Sequence, residues 1–182
     1  MTLREKYGEW GIILGATEGV GKAFCERLAK EGMNVVMVGR REEKLKELGE
    51  ELKNTYEIDY KVVKADFSLP DATDKIFAAT ENLDMGFMAY VACLHSFGKI
   101  QDTPWEKHEA MINVNVVTFM KCFYHYMKIF AAQDRGAVIN VSSMTGISSS
   151  PWNGQYGAGK AFILKMTEAV ACETEKTNVD VE

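Results

Sequence analysis

Five short apolar runs recur along the chain, at Gly11–Gly15, Asn34–Val38, Tyr60–Ala65, Gly86–Ala92 and Ala137–Val141. None shows the polar–apolar alternation of a strand with one wet face, so they read as strands covered on both faces. The segments between them carry apolar residues at helical spacing. They predict helices from about Gly19 to Glu31, Glu42 to Lys53, Asp71 to Thr80, Trp105 to Ala132 and Gly154 to Glu175. In the second of these, Leu45, Leu48 and Leu52 mark the inward stripe, while Glu42 and Lys46 stand at i,i+4 on a solvated face. Strands alternating with helices in this way predict an α/β fold, a doubly wound parallel sheet in three layers with helices on both faces.

At 182 residues and 47% hydrophobic composition, the chain is expected to bury one sizeable core, so residues 1–182 read as one domain. A net charge of −5, with basic and acidic residues interleaved, argues against nucleic acid or an acidic membrane surface as partner. Cys25, Cys93, Cys122 and Cys172 form no Cys-x-x-Cys pair, and His95, His108 and His125 show no ligand spacing. The cysteines read as reduced thiols, and no metal is expected. The polar opening from Met1 to Trp10 does not resemble a signal peptide, and no apolar stretch approaches the roughly 20 residues of a membrane span. A cytoplasmic protein is the expectation.

The first predicted strand runs into Gly15-Ala16-Thr17-Glu18-Gly19-Val20-Gly21 and then a helix. Glycines at such a junction let the backbone approach a pyrophosphate, whose charge the helix N-terminus favours. Gly15, Thr17, Glu18, Gly19, Val20 and Gly21 are therefore candidate dinucleotide-binding residues of a Rossmann-type fold. At the end of the second strand, a carboxylate would suit a free ribose 2′-hydroxyl, but the chain has Gly39-Arg40-Arg41. A guanidinium there suits a 2′-phosphate, so NADP(H) is expected ahead of NAD(H). The alternative is that Arg40 only begins the next helix.

Tyr156 and Lys160 are spaced i,i+4 on a predicted helix, and Ser143 stands thirteen residues before the tyrosine. A cation on the same helix face favours phenolate and lowers a phenol pKa that starts at about 10. Such a tyrosine is suited to moving a proton at a carbonyl or alcohol oxygen, with a serine hydroxyl to hold that oxygen. Met144, Pro151 and Trp152 flank the segment and suit either an apolar substrate pocket or ordinary packing.

With these residues in place, the chain resembles the short-chain dehydrogenase/reductase family over nearly all its length. Gly15, Gly19 and Gly21 match its glycine turn, with Leu14 where a threonine is usual. By that resemblance Asp66 contacts the adenine, and Asn115, Ser143, Tyr156 and Lys160 are the catalytic set. Lys160 would also grip the nicotinamide ribose, and Asn115 would position a water that resupplies protons. Gly8-Glu9-Trp10 and Glu42-Glu43-Lys44-Leu45 are similar to the branch of 17β-hydroxysteroid and long-chain 3-oxoacyl-CoA reductases. The resemblance implies an NADP(H)-dependent enzyme reducing a carbonyl, or oxidising the alcohol, of a small apolar substrate. A homodimer or homotetramer is also implied, since helices of this family pair between subunits; Phe119, Phe123, Phe162 and Leu164 put apolar residues on more than one helix face.

Two departures bear on this expectation. Where the family carries Asn-Asn-Ala-Gly beside the cofactor, the chain has Tyr90-Val91-Ala92-Cys93, which leaves Ala92 as a cofactor contact. The sequence also stops at Val179-Asp180-Val181-Glu182, where the family's sixth strand would start, which predicts a sheet lacking its last strands, with the fifth strand as an apolar edge. An idle nucleotide-binding or scaffolding protein and a same-family isomerase or epimerase are the alternatives.

Overall fold

The structure is a computed structural model that describes residues 1–148 and 150–182. Its centre is a six-stranded parallel sheet in the order β3-β2-β1-β4-β5-β6. The strands are β1 (Trp10–Leu14), β2 (Asn34–Gly39), β3 (Tyr60–Lys64), β4 (Met85–Tyr90), β5 (Gly136–Asn140) and β6 (Val179–Val181). The helices are α1 (Leu3–Tyr7), α2 (Gly19–Lys30), α3 (Glu42–Tyr56), α4 (Ala72–Thr80), α5 (Trp105–Ile112), α6 (Phe119–Gln133) and α7 (Gly154–Thr174). The Rossmann-type α/β arrangement expected from the sequence is the one observed.

The lack of alternation in β1 and β2 has a direct structural reason. Ile12, Leu14, Val36 and Val38 face one buried cluster, while Ile13, Val35 and Met37 face a second on the other side of the sheet. Successive side chains still point to opposite faces, but both faces are dry. On α3, Leu45, Leu48 and Leu52 are buried as the stripe required, with Gly49 between them. A Cβ on Gly49 would fall 2.3 Å from the Tyr60 ring, so this helix sits close on the sheet.

Three features differ from the sequence reading. The opening residues form α1, started by a capping box in which Thr2 and Glu5 satisfy each other's backbone N–H groups. The predicted helix from Trp105 to Ala132 is not uniform: α5 and α6 are joined by a π-helical turn, Asn113–Thr118. That turn is pinned from outside itself, since Val114 O accepts from the Tyr90 hydroxyl and Thr118 Oγ1 donates to Phe67 O at 2.9 Å. Finally, β5 is not the edge. Val179, Asp180 and Val181 pair with Gly136, Ala137 and Val138, burying both valines. Three residues are too few for a periodic signal, and only the neighbouring strand makes them a strand.

Phe119 and Phe123 also correct an expectation. Both are fully buried in the chain's own core rather than on an outer face; the exposed large apolar residues of the π turn and α6 are Val117 and Tyr124. Among the described residues, no helix is long and apolar enough to cross a membrane.

Candidate active site

Strand order reverses between β1 and β4, and the carboxyl ends of those strands open a cleft of about 400 Å³. Gly15, Thr17, Glu18, Val20 and Arg40 line it, and so do Asp66, Ala92, Tyr156 and Lys160. Residues scattered from 15 to 160 thus meet in one place.

Backbone crowding explains the glycines. Gly15 has φ +100°, and a Cβ there would lie 2.7 Å from Ala92 N, whose N–H donates to Leu14 O at 2.7 Å. Ala92 therefore backs the turn by main-chain contact. A Cβ on Gly21 would lie 1.9 Å from Gly15 O. Gly19 is different: its φ is +56° and open space lies above it. Glu18 precedes α2 as its N-cap but makes no side-chain cap, so the first amides of the helix face the cleft uncapped. An uncapped helix start under a bare glycine fits the pyrophosphate of a dinucleotide.

Asp66 stands beside this turn, accepting from Ser68 N at 3.0 Å and Ser68 Oγ at 2.7 Å. Burial works to raise its carboxyl, but the Ser68 hydrogen bonds and the Arg40 charge hold it below the usual range. Arg41, beyond the sequence expectation, also lines the cleft and is paired with Glu18 at 2.8 Å.

The Tyr156–Lys160 pair forms as the helical spacing required, with Lys160 Nζ 5.8 Å from the Tyr156 ring centroid. Lys160 is 1% exposed and donates to Val141 O at 2.6 Å, while its own carbonyl accepts from Ser142 Oγ at 2.8 Å. Burial lowers the ammonium pKa, opposed by Cys93. The tyrosine corrects an expectation. Burial pushes the Tyr156 phenol above the ordinary range, Cys93 adds to this, and Ser143 acts against it. Desolvation of the phenolate is thus the largest influence on this tyrosine.

Ser143 begins a 3₁₀ turn at Met144–Gly146, and its oxygen accepts from Thr145 N at 3.2 Å and Thr145 Oγ1 at 2.9 Å. Its own hydrogen remains to be donated. Asn115, buried in the π turn, clasps the loop after β4: it accepts from Leu94 N at 3.0 Å and donates to Leu94 O at 2.7 Å. That clasp uses one lone pair of the amide oxygen and one N–H of the amide nitrogen to brace the loop backbone beside the cleft.

Several supporting residues escaped the sequence reading. A Cβ on Gly157 would lie 2.7 Å from Thr145 O, and one on Gly159 would lie 2.9 Å from the Asn115 Cβ. Their signal was present, since two glycines inside a helix are costly without a packing reason. The His95 ring packs edge-on against Tyr156, and Gln155 is tied to His108 through both its side-chain oxygen and its nitrogen. Among the described residues, no group of three or more His, Cys, Asp or Glu is placed to hold a metal.

Residues 9–182 match the pattern of the family described as short chain dehydrogenase. The chain belongs to that family. All of it aligns at 82% identity with a 7β-hydroxysteroid dehydrogenase of Collinsella aerofaciens, and at 46% with one of Clostridium sardiniense, spanning 69% of the length of each. A solved structure from work on the stereoselectivity of 7β-hydroxysteroid dehydrogenase superposes at a TM-score of 0.99 and 82% identity, over 100% of this chain and 70% of that one. As a short-chain dehydrogenase, the protein has an oxidoreductase's fold with its cleft at the β1–β4 switch point.

Proposed function

We propose that residues 1–182 act as one dinucleotide-binding unit that interconverts a secondary alcohol and a ketone on an apolar, steroid-type substrate with NADP(H). The observation that carries this is the meeting of Tyr156 and Lys160 with the glycine turn, Arg40 and Asp66 in one cleft. Arg40 and Arg41 supply the positive charge for a 2′-phosphate, with Thr17 facing them across Gly39; a Cβ on Gly39 would lie 2.8 Å from Thr17 Oγ1. Gly15, Gly19, Gly21 and the start of α2 take the pyrophosphate, and Asp66 the adenine end.

The nicotinamide, when bound, supplies or accepts the hydride. Tyr156 holds and moves the proton at the substrate oxygen. Ser143 donates its hydrogen to that oxygen. Lys160, anchored to Val141 O, keeps a cation beside the phenol and favours phenolate when the proton leaves. Asn115 holds the Leu94 backbone and with it the wall between cleft and substrate.

The steroid-type substrate rests on the Collinsella relative and on a second cavity of about 1000 Å³. Ile100, Trp105, Met111, Ile112, Pro151 and Trp152 line it, with Gln155 and Ala158 on either side of Tyr156 in sequence. Its size lies at the upper end of small-molecule sites, enough for a rigid polycyclic body. The test is turnover of ketosteroids and their alcohols with each dinucleotide, in the parent and in Tyr156→Phe. NADPH-dependent reduction that vanishes in the variant is expected. Near-parental rates in Tyr156→Phe would overturn the assignment of the proton-moving group.

A further inference from the structure

Two arginines follow β2, and their situations differ. Among the described residues Arg40 makes no side-chain hydrogen bond or ion pair, whereas Arg41 Nη2 lies 2.8 Å from Glu18 Oε1. Glu18 comes from the β1–α2 turn and Arg41 from the start of α3, so the pair spans the mouth of the cleft, and both residues line it. Glu18 occupies the N-cap of α2 with extended backbone, at φ −161° and ψ 171°. An acidic N-cap ordinarily turns its oxygens onto the free amides of its own helix. This one makes no such bond and reaches Arg41 instead.

We infer that Glu18 is a specificity-determining residue for the dinucleotide, an internal anion that holds Arg41 until a ribose phosphate displaces it. The inference rests on the NADP(H) reading above. A carboxylate and a phosphate offer a guanidinium the same paired oxygens, so one exchanges for the other. Glu18 and Arg41 have side chains 71% and 45% exposed, so the pair is weak and the carboxylate swings into water easily. Arg41 holds the Glu18 carboxyl below the usual carboxylate range, so the internal anion is present at neutral pH. Once displaced, it remains on the same turn as a negative neighbour of the incoming phosphate. A dinucleotide with a free 2′-hydroxyl needs no exchange and leaves the pair intact. Glu18 therefore selectively weakens binding of the phosphorylated ligand and eases its release.

The experiment is equilibrium titration of NADPH and NADH, without substrate, by cofactor fluorescence or calorimetry. The proteins are the parent, Glu18→Gln, Arg41→Gln and the double variant. Glu18→Gln is expected to lower the NADPH Kd about threefold, the scale of one exposed charge interaction, and to leave the NADH Kd unchanged. The gain should shrink in the Arg41→Gln background and at raised salt. Unchanged or weaker NADPH binding by Glu18→Gln overturns the inference, as does an equal gain for NADH. A parent that binds NADH as tightly as NADPH overturns the underlying NADP(H) reading instead.

Discussion

The hydroxyl of Tyr90 donates to the main-chain oxygen of Val114 at 2.6 Å, joining the end of β4 to the π turn. A π turn shifts the helical hydrogen-bond register and leaves carbonyls to be satisfied from elsewhere. Tyr90 meets that need from within the core, where it is fully buried, and the next residue of the turn is Asn115. Tyr90 stands where the family resemblance leads one to expect an asparagine.

Tyr90→Phe should leave the ring packed and strand Val114 O. A stability loss of about 1–3 kcal/mol is expected, the cost of a buried unpaired acceptor, read as a lower urea midpoint with unchanged slope. Tyr90→Ala should cost more, about 3–5 kcal/mol, because it also opens a cavity.

Glycine-to-alanine changes along α7 should separate by position. Gly154→Ala faces open space and should be neutral or slightly stabilising. Gly157→Ala drives a methyl into Thr145 O, and Gly159→Ala into Asn115. Both should lower stability by about 1–3 kcal/mol despite the helix propensity of alanine, and both should reduce turnover. Thermal melts and rates on the three variants check this.

Arg40→Asp should reverse the dinucleotide preference, because a carboxylate repels a 2′-phosphate and accepts from a ribose hydroxyl. Turnover with each dinucleotide, in parent and variant, is the measurement. Equal use of both by the parent would remove the basis for the phosphate assignment.

The direction of the Tyr156 shift is itself testable. In dinucleotide-free protein, an ultraviolet difference titration of parent against Tyr156→Phe should show a phenol ionising above the ~10 of free tyrosine. Ionisation below that value would show that Lys160 outweighs burial.

Asp180 on β6 accepts from Lys6 Nζ at 2.6 Å and from the Tyr7 hydroxyl, tying α1 to the last strand. Lys6 and then Tyr7 hold its carboxyl below the ordinary range. A depressed carboxylate adds stability above its unfolded pKa of about 3.9, and that stability fades as pH falls through the folded value. The groups are half exposed, so solvent screening keeps the effect under about 1 kcal/mol. Asp180→Asn should cost that amount at pH 7. In denaturant melts the two proteins should begin to converge below about pH 4, fully so only once the pH has passed the depressed folded value.

Local pattern was enough for much of the architecture. Leu45, Leu48 and Leu52 announced α3, and the unbroken apolar run Val35–Val38 announced a strand buried on both sides, because periodicity is carried by residues a few positions apart. The i,i+4 spacing of Tyr156 and Lys160 placed their side chains together for the same reason. What the sequence did not settle depends on partners distant along the chain. The π turn is pinned by Tyr90 and Phe67, and β6 exists only beside β5.

The same division runs through the cleft. The residue types determined which groups are available there: a glycine turn, two arginines, a phenol and an ammonium. Tertiary structure alone decided their state. It half-buried Tyr156 beside His95 and Cys93, turned the Asn115 amide onto Leu94, and put Glu18 on Arg41 rather than on its own helix. Hydrogen-bond choice and desolvation are set by whatever atoms lie within a few ångströms, and in a crossover fold those atoms come from remote parts of the chain.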